Sequence, residues 1–508
     1  MSFTVTTPIY YVNGAPHLGH AYTTIAADVI ARHHRQRGED VFFLTGTDEH
    51  GEPVALAAEK LGVTPQALAD ENAERFKALA PQLGASHDFF IRTTDPEHKA
   101  GVQRVLQLVK DNGYVELGRY EGWYCPRCAD FKTDNEVEDG DRCPVHHVVL
   151  TRESEENWFF KLSAFQERLE ALYAERPDFV LPKERRNEAL AFIQGGLQDV
   201  SLSRGAKLQW GVPVPWDPEH VFYVWFDALL NYYTALSYAE PGKDLTERFW
   251  PADVHIVGKD ILKFHCVFWP ALLMAAGLPV PCHVLVHGYL LMPTSDGVLQ
   301  KSGKSLGNVL DPFTIIETFG VDALRFYLLR DVRFGGDGEV SVTAFEQRYE
   351  TELANELGNL ASRVSAMVVK YRDGSVPRVD ALDLQEDFAG LADEVAARTD
   401  AGELTQALEA VWVRVRRLNR YVEAQAPWRL AKDPAAADRL DVALATLVEA
   451  LRTVTVLLAA YLPVTSATML EALSAPDDSW AAAEFGAGAV SQVGKIAPLF
   501  PKHDPALA

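Results

Sequence analysis

A doubly wound α/β sheet of parallel strands, split by a cysteine-bearing insert and followed by an all-α helical bundle, is the fold class that the sequence predicts. Three observations carry it. The chain opens on a β-α-β pattern, further strand-like runs follow a region rich in cysteine, glycine and aspartate, and beyond about Val340 strand signals give way to helical periodicity. A chain of 508 residues is expected to form about three domains at roughly 150 residues each.

Phe3 to Tyr10 is rich in β-formers, Asn13-Gly14-Ala15-Pro16 is turn chemistry, and Gly19 to Arg37 carries helical periodicity that ends at Gly38. Val41 to Thr45 supplies the next strand. Sheets of this kind bind ligands at the carboxyl ends of their strands, so the loops Asn13 to His20 and Gly46 to Gly51 are the first places to search. Helical patterns cover Pro53 to Leu83 and Glu97 to Asn112, and the insert follows. Val221 to Trp225, Val254 to Val257 and Val284 to His287 read as strands, each leading into a polar or glycine-containing turn. Helical periodicity rich in Ala and Leu then runs through Glu350 to Tyr371, Phe388 to Gln425 and Asp438 to Leu462. The expected divisions are 1–114, 115–220, 221–345 and 346–508.

Hydrophobic residues make up 48 % and charged residues 23 %, as in folded globular chains, so extended disorder is not expected. The net charge of −23 argues against non-specific adhesion to polyanions, although a local basic face can still meet a nucleic acid. The amino terminus lacks the basic and apolar regions of a secretory signal. The charge-free, apolar-leaning run Thr453 to Leu470 contains Pro463 and five Ser or Thr residues and reads as a bundle helix, not a membrane span. A cytoplasmic protein with no membrane partner is expected. Five cysteines are no disulfide framework, and three of them fall between Cys125 and Cys143.

Cys125-Pro-Arg-Cys128 and Cys143-Pro-Val-His146 are two ligand pairs separated by fourteen residues, a spacing that places four donors around one tetrahedral Zn²⁺. Four protein ligands close the shell and make the ion structural; His147 competes with His146 as the fourth, and thiols gathered by chance are the alternative. His17 and His20 flank Leu18-Gly19 where strand turns to helix, so both imidazoles can sit at a helix start, which attracts phosphate. Gly19 would let a nucleotide approach the backbone. Two histidines near a helix start also occur as ordinary surface or core residues. Lys301-Ser302-Gly303-Lys304-Ser305 offers two cations in a small-residue loop, suited to a departing pyrophosphate or equally to plain solvation.

Together these pieces resemble the bacterial methionyl-tRNA synthetases, a family of class I aminoacyl-tRNA synthetases, over nearly the whole chain. Thr7-Pro8-Ile9-Tyr10-Tyr11-Val12-Asn13-Gly14 and His17-Leu18-Gly19-His20 are similar to that family's first strand and HIGH signature, and Thr45 to Gly51 to its second active-site loop. Tyr223 to Ala228, Gly258 to Ile261 and Phe264-His265 look like its methionine-pocket segments, and Lys301 to Ser305 stands where its KMSKS loop belongs. The resemblance implies a Rossmann-like catalytic domain split by a zinc-binding connective insert, with the knuckle at 125–146, and a helical anticodon-binding domain. It implies that methionine and ATP, with Mg²⁺, give methionyl-adenylate and pyrophosphate, after which methionine passes to the terminal ribose of tRNA. His17, Gly19, His20, Lys301 and Lys304 would then hold ATP, the two histidines and two lysines being catalytic. Ile9, Tyr11, Trp225, Ala228, Leu229, Tyr232, Ile261 and His265 would line the methionine pocket, and Asp48 would accept from the substrate ammonium. Aromatic faces and a donor such as Tyr11 or His265 suit a polarisable thioether better than aliphatic walls alone. Without the resemblance, Trp225 and Ile261 read as core packing.

By the same resemblance Asn359, Arg363 and Trp428 would read the CAU anticodon of initiator and elongator methionine tRNAs, by stacking and base-edge hydrogen bonds. Arg414, Arg416, Arg417 and Arg420 would add a basic patch, or else form a solvated face paired with nearby Glu residues. Two departures stand out: Ser302 and Gly303 occupy positions where Met and Ser are usual, with both lysines kept as in the similar Lys-x-Gly-Lys pattern of tyrosyl-tRNA synthetases. The chain also ends too early for the appended dimerising module of some members, so a monomer is expected. A synthetase for Leu, Ile, Val or Cys is disfavoured by the short insert and the separate cysteine cluster. A zinc hydrolase is disfavoured by the closed ligand set. The remaining alternative is a non-aminoacylating paralogue that forms an adenylate or binds tRNA.

Overall fold

The structure is a computed structural model; it describes residues 2–125, 130–132, 137, 140–144, 148–205, 210–293, 299–301, 311–488 and 490–501. Apolar side chains alternate along the strands and so feed two cores. Phe43, Ile256 and Leu285 enter one, whereas Phe42, Leu44, Val257, Val284 and Val286 enter the other. A period of two with both faces apolar is what a doubly covered sheet requires. Its strands pair in parallel: Phe89–Arg92, Asp40–Asp48, Ser2–Thr6, Val254–Gly258, His283–His287 and Val180–Leu181. Tyr10–Tyr11 extends the line of Ser2–Thr6, since Leu44 pairs with both Thr6 and Phe89 while Thr47 pairs with both Tyr10 and Arg92. Helix Leu18–Gln36 packs in the first core, and helices Pro96–Asp111 and Trp269–Ala276 in the second. The strands all run one way, so Asp48, Gly258 and His287 end at one edge of the sheet.

The segment 115–220 builds an antiparallel sheet from Val115–Cys125, Asp130–Lys132, Thr151–Phe160 and Val200–Ser201. It also returns Val180–Leu181 to the edge of the parallel sheet, which the sequence did not suggest. The run Val221 to Trp225 departs from its expected strand. A strand, Asp217–Phe222, ends at Phe222 in a small antiparallel sheet, and Tyr223 begins the helix Val224–Leu229. Its aromatic and β-branched residues favour strand locally, but burying Phe226, Asp227 and Leu229 on one turn overrides that preference.

Beyond Val340 the described residues contain helices, chiefly Asn359–Arg372, Leu391–Asp400, Leu404–Gln425, Ala437–Leu458 and Pro463–Ala472. No helix among the described residues is long and apolar enough to cross a membrane. Their core continues into the helix Val321–Asp331 and the helix Leu18–Gln36. At that junction Arg325 is fully buried and donates to Tyr461 O (2.9 Å), Ala460 O (2.8 Å) and Leu83 O (3.0 Å), and it pairs with Asp28 Oδ2 at 2.7 Å. Asp28 also accepts from Arg32 and Ser86. Burial alone would raise the Asp28 carboxyl, but Arg325, Arg32 and Ser86 outweigh it and hold the group below the usual carboxylate range.

Arg325→Met should cost about 3–5 kcal/mol, because three buried carbonyls lose their donor and Asp28 loses a counter-charge. The depressed Asp28 group stabilises the fold fully above about pH 4 and loses that contribution as pH falls further. Urea unfolding midpoints across an acid titration are expected to fall in the parent, and to start lower with a shallower acid slope in Arg325→Met.

Candidate active site

A cleft of about 540 Å³ opens at the carboxyl edge of the sheet. Ile9, Tyr11, Asp48, Trp225, Ala228, Leu229, Tyr232, Ile261 and His265 all border it, with His17, Gly19 and His20. Local structure explains how residues so far apart meet. Tyr11 and Asp48 are register partners on adjacent strands. Trp225, Ala228 and Leu229 lie on the helix Val224–Leu229, and Tyr232 follows on the next turn, Asn231–Thr234. Ile261 ends a tight turn after the strand Val254–Gly258, and His265 sits in the wide π-helical segment Phe264–Phe268. Such widened turns often accompany functional sites. Tyr10, Asn231, His287 and Tyr289 border the cleft too. His287 had a legible signal: it ends a predicted strand and precedes Gly288, so the strand-end rule applied to it as well.

The apolar end of the cleft is held by defined protonation states. His265 Nδ1 lies 3.1 Å from the Ile261 carbonyl, which can only accept, so Nδ1 carries the proton and Nε2 accepts from the Tyr232 hydroxyl at 2.7 Å. Behind it, the Trp269 indole donates to His255 Nε2 (3.2 Å), which leaves Nδ1–H for Thr6 Oγ1 (2.8 Å). Burial pushes His265 down to about 4 and His255 well below its ordinary value. Trp225 stacks on Phe264 with ring centroids 3.8 Å apart and meets Tyr11 edge-on at 6.4 Å.

Asp48 marks the polar end. It is 2 % exposed, and its Oδ1 has no hydrogen-bond partner among the described residues. Burial, then the neighbouring Asp227 and Glu49 carboxylates, push its carboxyl well above the usual range. An arriving cation would relieve both penalties. Glu49 is already satisfied by Arg92 (2.7 and 2.9 Å), Thr47 and Thr94. Asp227 is gripped by His50 Nδ1 (2.6 Å) and His98 Nε2 (2.8 Å); burial would raise its pKa, but the two imidazoles outweigh it and hold it at about 2.

At the start of the helix Leu18–Gln36 the two histidines form a reciprocal cap. His17 Nδ1 accepts from Gly19 N–H, and His20 Nδ1 accepts from His17 N–H, each at 3.1 Å. In the neutral rings each Nε2 is therefore the donor, and the rings stack 3.7 Å apart. Gly19 lets the His17 ring lie close over the helix start, since a Cβ there would sit 3.0 Å from that ring and press it outward. Lys301 ends the strand Leu299–Lys301; its side chain and the whole of Lys304 lie outside the described residues.

In the insert, Cys125 and Cys143 are buried and pack in one small cluster with Leu150, while Cys128 and His146 lie outside the described residues. Among the described residues no three His, Cys, Asp or Glu side chains gather as a metal site. Two buried cysteines in one small cluster, where so little apolar surface is available, fit a soft structural ion. In the helical region Arg363 lies 5.7 Å from the Trp428 ring and pairs with Glu423 at 2.6 Å, and exposed Asn359 is one turn earlier on the same helix. The four-arginine patch is largely neutralised: Arg414 faces Glu394, Arg416 pairs with Glu409 and Arg417 with Asp387, leaving Arg420 exposed.

The neutral rings of His255 and His265 stabilise the fold above about pH 6.5, and that contribution declines as pH falls towards 4, because only the unfolded chain takes up their protons. NMR of ring-labelled histidine should show both as Nδ1–H tautomers, unchanged from pH 8 to about 5.

Similarity to known proteins places the chain in a family. The family model described as tRNA synthetases class I (M) matches residues 3–153 and 141–365, and the anticodon binding domain of methionyl tRNA ligase matches 380–495. The methionine–tRNA ligase of Streptomyces coelicolor is 46% identical over 99% of this chain and 96% of its own. That of Caldanaerobacter subterraneus is 42% identical over 99% of this chain and 79% of its own. The crystal structure of Mycobacterium tuberculosis methionyl-tRNA synthetase bound by methionyl-adenylate superposes with a TM-score of 0.92 at 40% identity, covering 99% of this chain and all of that one. Identity at this level over both the sheet and the helical domain leaves one assignment: the chain belongs to the methionyl-tRNA synthetases of class I.

Proposed function

We propose that the cleft at the sheet edge performs the two steps of this methionine–tRNA ligase. The observation that carries the reading is the convergence of nine pocket residues from separate segments beside the His17 and His20 helix start. The methionine side chain lies against Trp225, Ala228, Leu229, Ile9 and Ile261, with Tyr11, Tyr232 and His265 supplying polar contacts to the thioether. Asp48 accepts from the ammonium. The methionine carboxylate then attacks the α-phosphorus of ATP, the bond to the β-phosphate oxygen breaks, and pyrophosphate leaves. The Nε2–H groups of His17 and His20, with Lys301 and Lys304, stabilise the charge that grows on phosphorus and on the leaving group. Mg²⁺ bound with ATP neutralises part of the phosphate charge. In the second step a hydroxyl of the terminal ribose attacks the adenylate carbonyl and AMP departs.

The proposed organisation is a Rossmann-like catalytic domain over 1–114 and 221–345, a connective insert over 115–220 and an anticodon-binding domain over 346–508. One structural Zn²⁺ is held by Cys125, Cys128, Cys143 and His146. Asn359, Arg363 and Trp428 read the CAU loop of initiator and elongator tRNAs; the 5.7 Å approach of Arg363 to Trp428 supports this by forming a stacking platform beside a donor. The chain acts as a monomer in the cytoplasm. A non-aminoacylating paralogue is not favoured, because the relatives named above carry the ligase activity in their names.

ATP–pyrophosphate exchange tested with methionine, leucine, isoleucine, valine and cysteine should proceed with methionine alone, followed by charging of CAU-anticodon tRNA. Lys304→Ala should abolish exchange while methionine binding by calorimetry stays nearly unchanged; normal turnover would overturn the lysine's role. Trp428→Ala should lower kcat/KM for tRNA about ten- to a hundredfold, as loss of base stacking implies, and leave exchange intact.

A further inference from the structure

Behind the cleft, one chain of hydrogen bonds joins the elements that carry the methionine pocket to a helix that does not border the cleft. His50 belongs to the loop that follows Asp48 at the end of the strand Asp40–Asp48, and its Nδ1 donates to Asp227 Oδ2 at 2.6 Å. Asp227 lies between Trp225 and Ala228 on the helix Val224–Leu229. Its other oxygen, Oδ1, accepts from His98 Nε2 at 2.8 Å, and His98 Nδ1 meets Thr234 Oγ1 at 2.7 Å, two residues beyond Tyr232. His98 stands on the helix Pro96–Asp111 and is fully buried; Asp227 is 1 % exposed. Neither is among the cleft-bordering residues.

A second contact brings the same helix face against the same pocket element. Gly101, one turn beyond His98, faces Thr234 so closely that a Cβ would come within 2.6 Å of the threonine methyl. Only glycine lets this helix approach far enough for the His98 imidazole to span Asp227 and Thr234. The helix is sixteen residues long and packs in the second core of the sheet, so it is a firm support for three short segments that have little regular structure of their own.

Resting on the pocket assignment made above, we propose that His98 is a positioning residue for methionine activation: through Asp227, His50 and Thr234 it fixes Asp48, the Trp225 helix and Tyr232 relative to one another. The role is geometric. Asp227, gripped on both oxygens, cannot turn, and its helix and the Asp48 loop keep a constant separation across which the ammonium and the thioether are bound together. A buried carboxylate needs both partners, and removal of one leaves a charge that the pocket must accommodate by moving. Such displacement acts on methionine and leaves the ATP contacts at His17 and His20 untouched.

ATP–pyrophosphate exchange with methionine and ATP varied separately, on the full chain, tests this with His98→Ala, His98→Gln and Gly101→Ala, and with Asp48→Asn as a control of the pocket. The expected result is a KM for methionine raised about ten- to a hundredfold in His98→Ala and less in His98→Gln, whose amide can still donate to Asp227. Gly101→Ala should raise it several-fold with every polar group retained, and KM for ATP should hold within about twofold in all three. An unchanged KM for methionine in His98→Gln and Gly101→Ala overturns the proposal, as does an equal loss in all parameters accompanied by a fallen Tm. If His98→Ala does not fold, the other two variants decide. Should Asp48→Asn leave KM for methionine unchanged, the pocket assignment fails; should it raise KM while the His98 and Gly101 variants do not, only the positioning role fails.

Discussion

Arg325 and Asp28 form an ion pair in a place that water does not reach, and much of the architecture depends on it. Asp28 lies midway along the helix whose first turn carries His17 and His20, and Arg325 spends its other donors on carbonyls of the helical domain and of the segment after Pro65–Gln82. A guanidinium has enough donors, fixed in one plane, to serve all of these acceptors at once, which an ammonium does not. The same helix touches the helical domain at its far end, where Gln36 donates to Val456 O and Asp478 O and Arg37 pairs with Asp400. One rod thus runs from the His17 and His20 side of the cleft to the helical anticodon-binding domain. Its position is set by a charge that cannot be moved without leaving a buried partner exposed to the full cost of desolvation.

The active site treats charge differently at its two ends. At the apolar end, lined by Trp225 and Tyr232, potentially charged groups are kept neutral: His265 and His255 have fixed tautomers because each has a carbonyl or indole that dictates which nitrogen holds the proton. At the Asp48 end, Asp48, Glu49 and Asp227 are gathered at close quarters, and Glu49 and Asp227 are fully paired while Asp48 Oδ1 has no hydrogen-bond partner among the described residues. In the proposed assignment a substrate ammonium is the cation that answers this unpaired oxygen. In the proposed assignment, selectivity for an amino acid with a positive head and a polarisable, uncharged tail follows from that division.

Much of this was legible before folding was considered. The strand–turn–helix around His17 and His20, the strand ends at Asp48 and Gly258, and the helical domain beyond Val340 follow from local patterns of apolar and turn residues. The pocket residues Ile9, Tyr11, Trp225, Tyr232 and His265 were found through motif resemblance, and they border a single cleft. Other features left no local trace. Val221 to Trp225 reads as strand by composition, yet chain beyond Phe222 turns helical because burial and the two histidines on Asp227 fix its backbone. For the arginine-rich helix face the sequence left two readings open, a basic patch or a face paired with nearby Glu residues, and Glu394, Glu409 and Asp387 decide for pairing at three of the four arginines.

The sequence by itself determined which chemical groups the protein possesses and which stretches alternate with a period of two or of 3.6, because those properties depend on neighbours along the chain. It also set the order of the motifs, and with it the class of reaction. Only the tertiary structure decided which partner each polar group meets: that Arg325 faces Asp28, that His265 accepts from Tyr232, that Val180–Leu181 closes the edge of a sheet begun far earlier, and that His98 reaches Asp227. These choices rest on hydrogen bonds and charge pairs between residues tens to hundreds of positions apart, whose strength depends on burial, and burial exists only once the chain has folded.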